Sequence, residues 1–131
     1  MRKISIVCAS YHLEEIESML SIAREECATN NIDIADIVWV AGSFELPLAL
    51  SREIQKEGIH GAVCLGIIER GETEHGKAIG MSIFSKILDL QVEHNKPIGL
   101  GIIGPGAQPE QVQPRIEAHA RNAVQALLSF F

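Results

Sequence analysis

Glu69-Arg70-Gly71-Glu72-Thr73-Glu74-His75 is a segment able to hold an anion and move a proton beside it. A glycine in a turn that feeds a helix lets backbone N–H groups approach an anion, and the positive end of the helix favours its charge. Thr73 adds a hydroxyl donor, and His75, one or two residues into the helix, carries a group suited to proton transfer near neutral pH. The same residues also suit an ordinary capping turn, with Thr73 as cap and His75 merely exposed. A second candidate is Ala41-Gly42-Ser43-Phe44-Glu45-Leu46-Pro47. Gly42 and Ser43 make a tight turn whose amides face a ligand, Phe44 offers an apolar wall, and Glu45 accepts hydroxyls. The alternative makes Ser43 an N-cap, Phe44 core and Glu45 a helix start. Tyr11 either stacks on a planar ring or covers the core edge. Arg115, followed by His119 and Arg121, suits bidentate phosphate binding or a solvated basic face. His12, His60 and His94 lack companions at metal-ligand spacing and read as surface residues.

Four short apolar runs position these residues: Ile4 to Ala9, Ile34 to Val40, Ala62 to Ile68, and Ile98 to Ile103. Each is nearly continuous rather than alternating, which predicts parallel strands covered on both faces. Helical spacing fills the gaps. Leu13, Ile16, Leu20, Ala23 and Cys27 recur at steps of three and four behind the acidic turn Glu14, Glu15 and Glu17. A second helix is predicted from about Glu45 to Glu57, ending at Gly58. A third carries Ile79, Ile83, Ile87 and Leu90, and the last runs through Ile116, Ala120, Ala123, Leu127 and Leu128. Gly104-Pro105-Gly106-Ala107-Gln108-Pro109 reads as a rigid turn. The order βαβαβαβα predicts an α/β fold, a three-layer αβα sandwich around a four-stranded parallel sheet, in one domain over residues 1–131. Ligands of such sheets bind beyond the carboxyl ends of the strands, and every candidate turn follows a strand.

Composition narrows the classes. A formal net charge of -6 argues against a nucleic-acid binder, while leaving room for a small anionic substrate. The apolar stretch at the start is too short for a signal sequence, and no run approaches the roughly 20 residues that span a membrane. A cytoplasmic protein without membrane partners is expected. Cys8, Cys27 and Cys64 lack disulfide or zinc spacing, and Cys8 and Cys64, inside apolar runs, read as buried thiols. No cofactor motif or metal site is found.

Three segments resemble, in order and spacing, the 6,7-dimethyl-8-ribityllumazine synthase family, and the resemblance extends over essentially the whole chain. Ala41-Gly42-Ser43-Phe44-Glu45-Leu46-Pro47 is similar to the family's PG-A/S-FE-I/L-P turn. Gly71-Glu72-Thr73-Glu74-His75 is similar to its GETxH loop, and Gly101-Ile102-Ile103-Gly104-Pro105-Gly106 to the fourth-strand loop of archaeal-type members. The resemblance implies a flavodoxin-like sheet and a condensation of 5-amino-6-(D-ribitylamino)uracil with 3,4-dihydroxy-2-butanone 4-phosphate. It places His75 as the proton-moving histidine. Glu72, Thr73 and Arg115 fall on the phosphate site, Arg115 with one residue inserted before it. Tyr11 falls where an aromatic residue stacks on the pyrimidine. Ser43, Phe44 and Glu45 hold the ribityl chain and ring, and Ile68 and Glu69 line the ring by their backbone. Leu100 matches an apolar wall lent by a neighbouring subunit. The partners implied are small-molecule substrates and further copies of the chain, in a pentamer or a 60-subunit shell with sites between subunits.

Several residues depart from the family pattern. His12 stands where an asparagine is usual, Gly76 replaces a bulkier residue, Pro114 precedes Arg115, and His119 stands where many bacterial members have lysine. Gly76 and Pro114 keep a non-catalytic flavin- or lumazine-binding or shell-forming protein as an alternative. A homologous riboflavin synthase would lack the GETxH loop. A generic phosphate-binding domain would be monomeric.

Overall fold

The computed structural model describes residues 1–69 and 75–131, the first two residues of helix α3 as backbone only. The elements run β1 (Arg2–Ala9), α1 (Leu13–Thr29), β2 (Ile32–Val40), α2 (Leu46–Ile54), β3 (Gly61–Glu69), α3 (His75–His94), β4 (Ile98–Ala107), α4 (Pro109–Val112) and α5 (Ile116–Leu128). Short 3₁₀ turns cover Ser10–His12, Ser43–Glu45 and Gln113–Arg115. The strands form one parallel sheet in the order β2-β1-β3-β4. This is the α/β architecture that the apolar runs predict.

Alternation along the strands divides the core into two layers. Ile4, Ile6 and Cys8 of β1 and Val63, Leu65 and Ile67 of β3 pack with Ile16, Met19 and Ala23 of α1 and Ile116, Ala120 and Leu127 of α5. On the other face Val7, Ala62, Cys64 and Ile102 pack with Leu46 and Leu50 of α2 and Ile83 and Ile87 of α3. Strands β1 and β3 are therefore covered on both sides, which explains their continuous apolar sequence.

Strand β2 departs from that expectation. It is the sheet edge, and Ala35, Asp36 and Trp39 are exposed in the single chain. A shift between Ile4 and Ser5 leaves Ala35 out of register, so that Ser5 pairs with Asp36. At this bulge the buried Ser5 hydroxyl donates to Glu53 Oε1 at 2.8 Å. Lys56 Nζ closes the group, 2.8 Å from Glu53 Oε2 and 3.3 Å from Asp36 Oδ2. Its ammonium pKa is raised, first by the hydrogen bond to Glu53 and then by Asp36. A hydrogen bond and an ion pair thus compensate the buried Glu53 carboxylate.

The fourth strand also differs from its predicted end. It continues through Gly104-Pro105-Gly106 to Ala107, which pairs with Glu69 after a register shift. Gly104 has φ +108, and a Cβ there would lie 2.1 Å from the Ile68 carbonyl oxygen, so only glycine permits this close approach. The glycines and prolines bend a strand here instead of ending it. Beyond it, α4 begins with a reciprocal Gln108–Gln111 capping box that the sequence reading did not anticipate.

Two predictions concern this core. Gly99 lies against α5, where an added Cβ would fall 1.9 Å from the Ala123 carbonyl oxygen. Gly99→Ala must push the helix off the sheet, and denaturant unfolding should show a loss of about 1–3 kcal/mol. An unchanged midpoint would mean that the contact is soft. The cysteines are fully buried. Burial pushes the Cys8 and Cys64 thiols up to about 12 and Cys27 to about 11, the last with help from Glu26. At about pH 8 a disulfide reagent should leave all three unlabelled in the native chain and label them in guanidinium chloride. Unfolded thiols ionise near their ordinary value of 9.0, before the folded ones. The unfolded state therefore holds fewer protons above that pH, and stability should fall as pH climbs from about 9 towards 12. A denaturant midpoint flat across that range would contradict the assignment.

Candidate active site

The carboxyl edge of the sheet gathers most of the candidate residues that the structure describes. Strand β1 delivers the turn Ser10–His12, β2 the turn Ser43–Glu45, and β3 ends at Glu69. Ser10 Oγ lies 3.5 Å from the Ala41 carbonyl oxygen, joining the first two turns. His75 opens the 20-residue helix α3, whose amino end lies on the carboxyl side of β3. Residues 70–74, including Glu72 and Thr73, and the side chain of His75 lie outside the described residues.

Two aromatic rings on adjacent turns are left out of the core. Tyr11 is 77 % exposed and Phe44 66 % exposed. Burying a ring of this size contributes roughly 1.5–3 kcal/mol, so folding alone does not account for either position. Phe44 is thus not a core residue. Ser43 makes no side-chain capping bond. Its Oγ instead leans over β3, 3.3 Å from where a Cβ on Gly66 would stand, so glycine at 66 leaves room for the hydroxyl. Glu45 is exposed beside it. The turn joins a hydroxyl, a carboxylate and a ring, the groups needed to hold a polyhydroxylated chain attached to a planar heterocycle.

The sequence reading missed His12. It is not a free surface residue: its side chain is 20 % exposed, and Nε2 lies 3.2 Å from Glu69 Oε1. The Tyr11 ring meets the imidazole edge to face, with centroids 4.9 Å apart and planes at 88°. The pair spans the junction of β1 and β3, 57 positions apart in sequence, and no local pattern announces it. His60 and His94 are likewise half-buried, and His60 Nδ1 accepts the Lys3 backbone N–H at 2.9 Å.

Ile68 is buried, with its carbonyl packed against Gly104. Arg115 ends the 3₁₀ turn ahead of α5 and is exposed, and its carbonyl oxygen lies 3.0 Å from His119 Nδ1. Pro114 sits inside that turn, so the helix begins after it and loses no internal hydrogen bond. Arg121, read from sequence beside Arg115, is engaged elsewhere: it pairs with Glu117 at 3.1 Å, Glu26 at 3.0 Å and Glu25 at 3.4 Å, tying α5 to α1. Leu100 is not brought to this edge within the chain. It lies mid-strand opposite Cys64, five positions before Glu69 and so about 17 Å short of the strand end.

An open cavity among the described residues lies at the opposite end of the sheet. This open groove of about 740 Å³ is lined by Arg2, His60, Leu88, Val92, Lys96 and Phe131 among others. Parallel sheets place their chemistry at the carboxyl ends, where adjacent strands send their helices to opposite faces. Here α1 leaves β1 for one face and α3 leaves β3 for the other, opening that crevice between β1 and β3. We therefore assign the site by its groups, not by cavity size. Among the described residues no group of three or more His, Cys, Asp or Glu is placed to hold a metal ion. No helix among them is long and apolar enough to cross a membrane.

Comparison with known proteins identifies the family. A sequence model of the family described as 6,7-dimethyl-8-ribityllumazine synthase matches residues 1–131. A 6,7-dimethyl-8-ribityllumazine synthase of Saccharolobus solfataricus is 36 % identical over 126 residues, covering 96 % of this chain and 82 % of the relative. One of Metallosphaera sedula is 36 % identical over 95 % of this chain and 82 % of its own. One of Staphylothermus marinus is 33 % identical over 97 % and 85 % respectively.

Proposed function

The chain belongs to the 6,7-dimethyl-8-ribityllumazine synthase family, and from that premise we propose that its sheet edge carries out the family's condensation. Its substrates are 5-amino-6-(D-ribitylamino)uracil and 3,4-dihydroxy-2-butanone 4-phosphate; its products are the lumazine, phosphate and water of riboflavin biosynthesis. The observation that carries the reading is the convergence of the Tyr11 turn, the Ser43–Glu45 turn and the amino end of α3 on one edge of the sheet.

The roles are those the family resemblance implies, and the chemistry of each residue suits its own. Tyr11 and Phe44 face the planar ring, while Ser43 and Glu45 hold the ribityl hydroxyls. The backbone at Ile68 and Glu69 lines the ring edge. Glu72 and Thr73 bind the phosphate at the start of α3, where a helix of this length favours negative charge, and Arg115 pairs with it. An amine of the pyrimidine attacks the ketone to form an imine. One water is lost as the imine forms, and phosphate is then eliminated to leave a carbonyl on the neighbouring carbon after tautomerisation. The second nitrogen attacks that carbonyl and closes the ring with loss of a second water. His75 moves the protons. Holding two reactants in register supplies much of the acceleration, and none of these steps needs a change of oxidation state.

The assembly belongs to the same reading. Leu100 serves the site of a neighbouring copy, which reconciles its distance from its own strand end with an apolar lining role. The exposed apolar groups Leu13, Phe44 and Leu48 around the edge, and Met81, Leu88 and Val92 along α3, support contacts between copies in a pentamer or a 60-subunit shell. A cytoplasmic location goes with this role.

Inorganic phosphate tests the division of the site. It should inhibit competitively against the butanone phosphate and not against the pyrimidine. Competition against both, or against the pyrimidine alone, would overturn the assignment of the α3 amino end to phosphate.

A further inference from the structure

We propose that His12 and Glu69 form a positioning pair for the pyrimidine, in which His12 holds the Glu69 carboxylate and braces the Tyr11 ring so that both meet the heterocycle. This rests on the assignment of the carboxyl edge as the site of condensation, and it gives the Glu69 side chain a role beyond its backbone.

The geometry orders the three groups from inside to outside. The His12 imidazole is innermost, its side chain 20 % exposed; the Glu69 carboxylate, 3.2 Å from Nε2, is 47 % exposed; the Tyr11 ring stands outermost against the imidazole. The last paired residues of the two strands are Cys8 and Leu65, so both turns lie beyond the ladder, at the β1–β3 junction where the sheet changes direction. No strand hydrogen bond to β3 fixes the Ser10–His12 turn. The contact with Glu69 joins it to β3. Without it, a half-exposed carboxylate turns towards water, and the exposed tyrosine loses its supporting ring.

The chemistry selects the occupant. A carboxylate accepts hydrogen bonds and cannot donate them. It therefore favours a heterocycle rich in N–H groups, and the diaminopyrimidine substrate carries ring N–H groups and two amines. The neighbouring aromatic face suits the same planar ring.

Steady-state kinetics of His12→Ala, His12→Gln, Glu69→Gln and the double variant His12→Ala/Glu69→Gln test the pair. His12→Ala should raise the KM for the pyrimidine about tenfold, the effect of losing one charge-assisted contact. The KM for the butanone phosphate and the sedimentation coefficient should stay unchanged. His12→Gln, whose amide is able to donate to Glu69, should recover to within about threefold of the parent. Glu69→Gln should match His12→Ala, and the double variant should be no worse than either single one. An unchanged pyrimidine KM, equal rises in both KM values, or additive losses in the double variant would overturn the pair. Equilibrium binding of 5-amino-6-(D-ribitylamino)uracil, followed without turnover, separates the two ideas. A parent chain that binds it and does not condense it contradicts the proposed function alone. Equal binding by the parent and His12→Ala contradicts the pair.

Discussion

His75→Ala should lower kcat about 100-fold or more while both KM values stay within about threefold. A positioned acid–base group contributes roughly 10²–10⁴ in rate, and this reaction moves protons at imine formation, phosphate departure and ring closure. Histidine suits all three because it exchanges its proton near neutral pH. The remaining acceleration comes from holding the reactants together, which the substitution leaves in place, so the variant should not fall to the solution rate. His75 is the first residue of α3 and directly follows, in sequence, the loop proposed to bind phosphate, so it is not itself proposed as the anion ligand. Measured rates with both substrates at saturation check this. A loss under about threefold would remove His75 from proton transfer, and a loss confined to one KM would make it a binding group.

Arg115→Ala should act on the other axis. The KM for the butanone phosphate should rise about 100-fold, with little change in the KM for the pyrimidine. Removing one partner of a charge pair costs about 2–5 kcal/mol when the pair is shielded from water. Arg115 is exposed in the single chain, so the full effect requires an assembled site that covers it. Arg115→Lys should recover only part of the loss, because an ammonium lacks the planar fork that meets two phosphate oxygens at once. Equal rises in both KM values would place Arg115 in general packing. The contrast between His75 and Arg115, one acting on kcat and the other on a single KM, distinguishes this division of labour from a site that is merely disturbed by any substitution.

The sequence was most informative where burial is two-sided. Strands β1 and β3 announce themselves because both faces need apolar residues, and α1 because its apolar stripe runs behind an acidic first turn. Edges and long-range contacts were harder to read. Strand β2 has nearly the same apolar content as β1 but is half-exposed, and only its place at the sheet edge explains the difference. The continuation of β4 through Gly104, Pro105 and Gly106 was hidden because these residues carry the signature of a turn. Their use in a bent strand depends on Ile68, a distant neighbour in sequence.

The site shows the same division. The motifs in the Ser43–Glu45 turn and at His75 are contiguous, so spacing offered them as candidates beside an ordinary capping role, and the resemblance to the family favoured the functional one. His12 and Glu69 meet across the sheet, and a lone histidine after a strand gives no sign of a carboxylate 57 positions away. Leu100 was proposed only through resemblance to the family, whereas Arg115 was a candidate by its chemistry and the resemblance aligned it with the phosphate position.

The most direct measurement is a turnover assay of the purified chain with 5-amino-6-(D-ribitylamino)uracil and 3,4-dihydroxy-2-butanone 4-phosphate, following lumazine fluorescence and phosphate release together. The account predicts that both products appear in equal amounts and that neither forms when the pyrimidine is left out. A folded oligomer that binds the pyrimidine yet releases neither product would contradict it, and would make the chain a binding protein on an enzyme's fold.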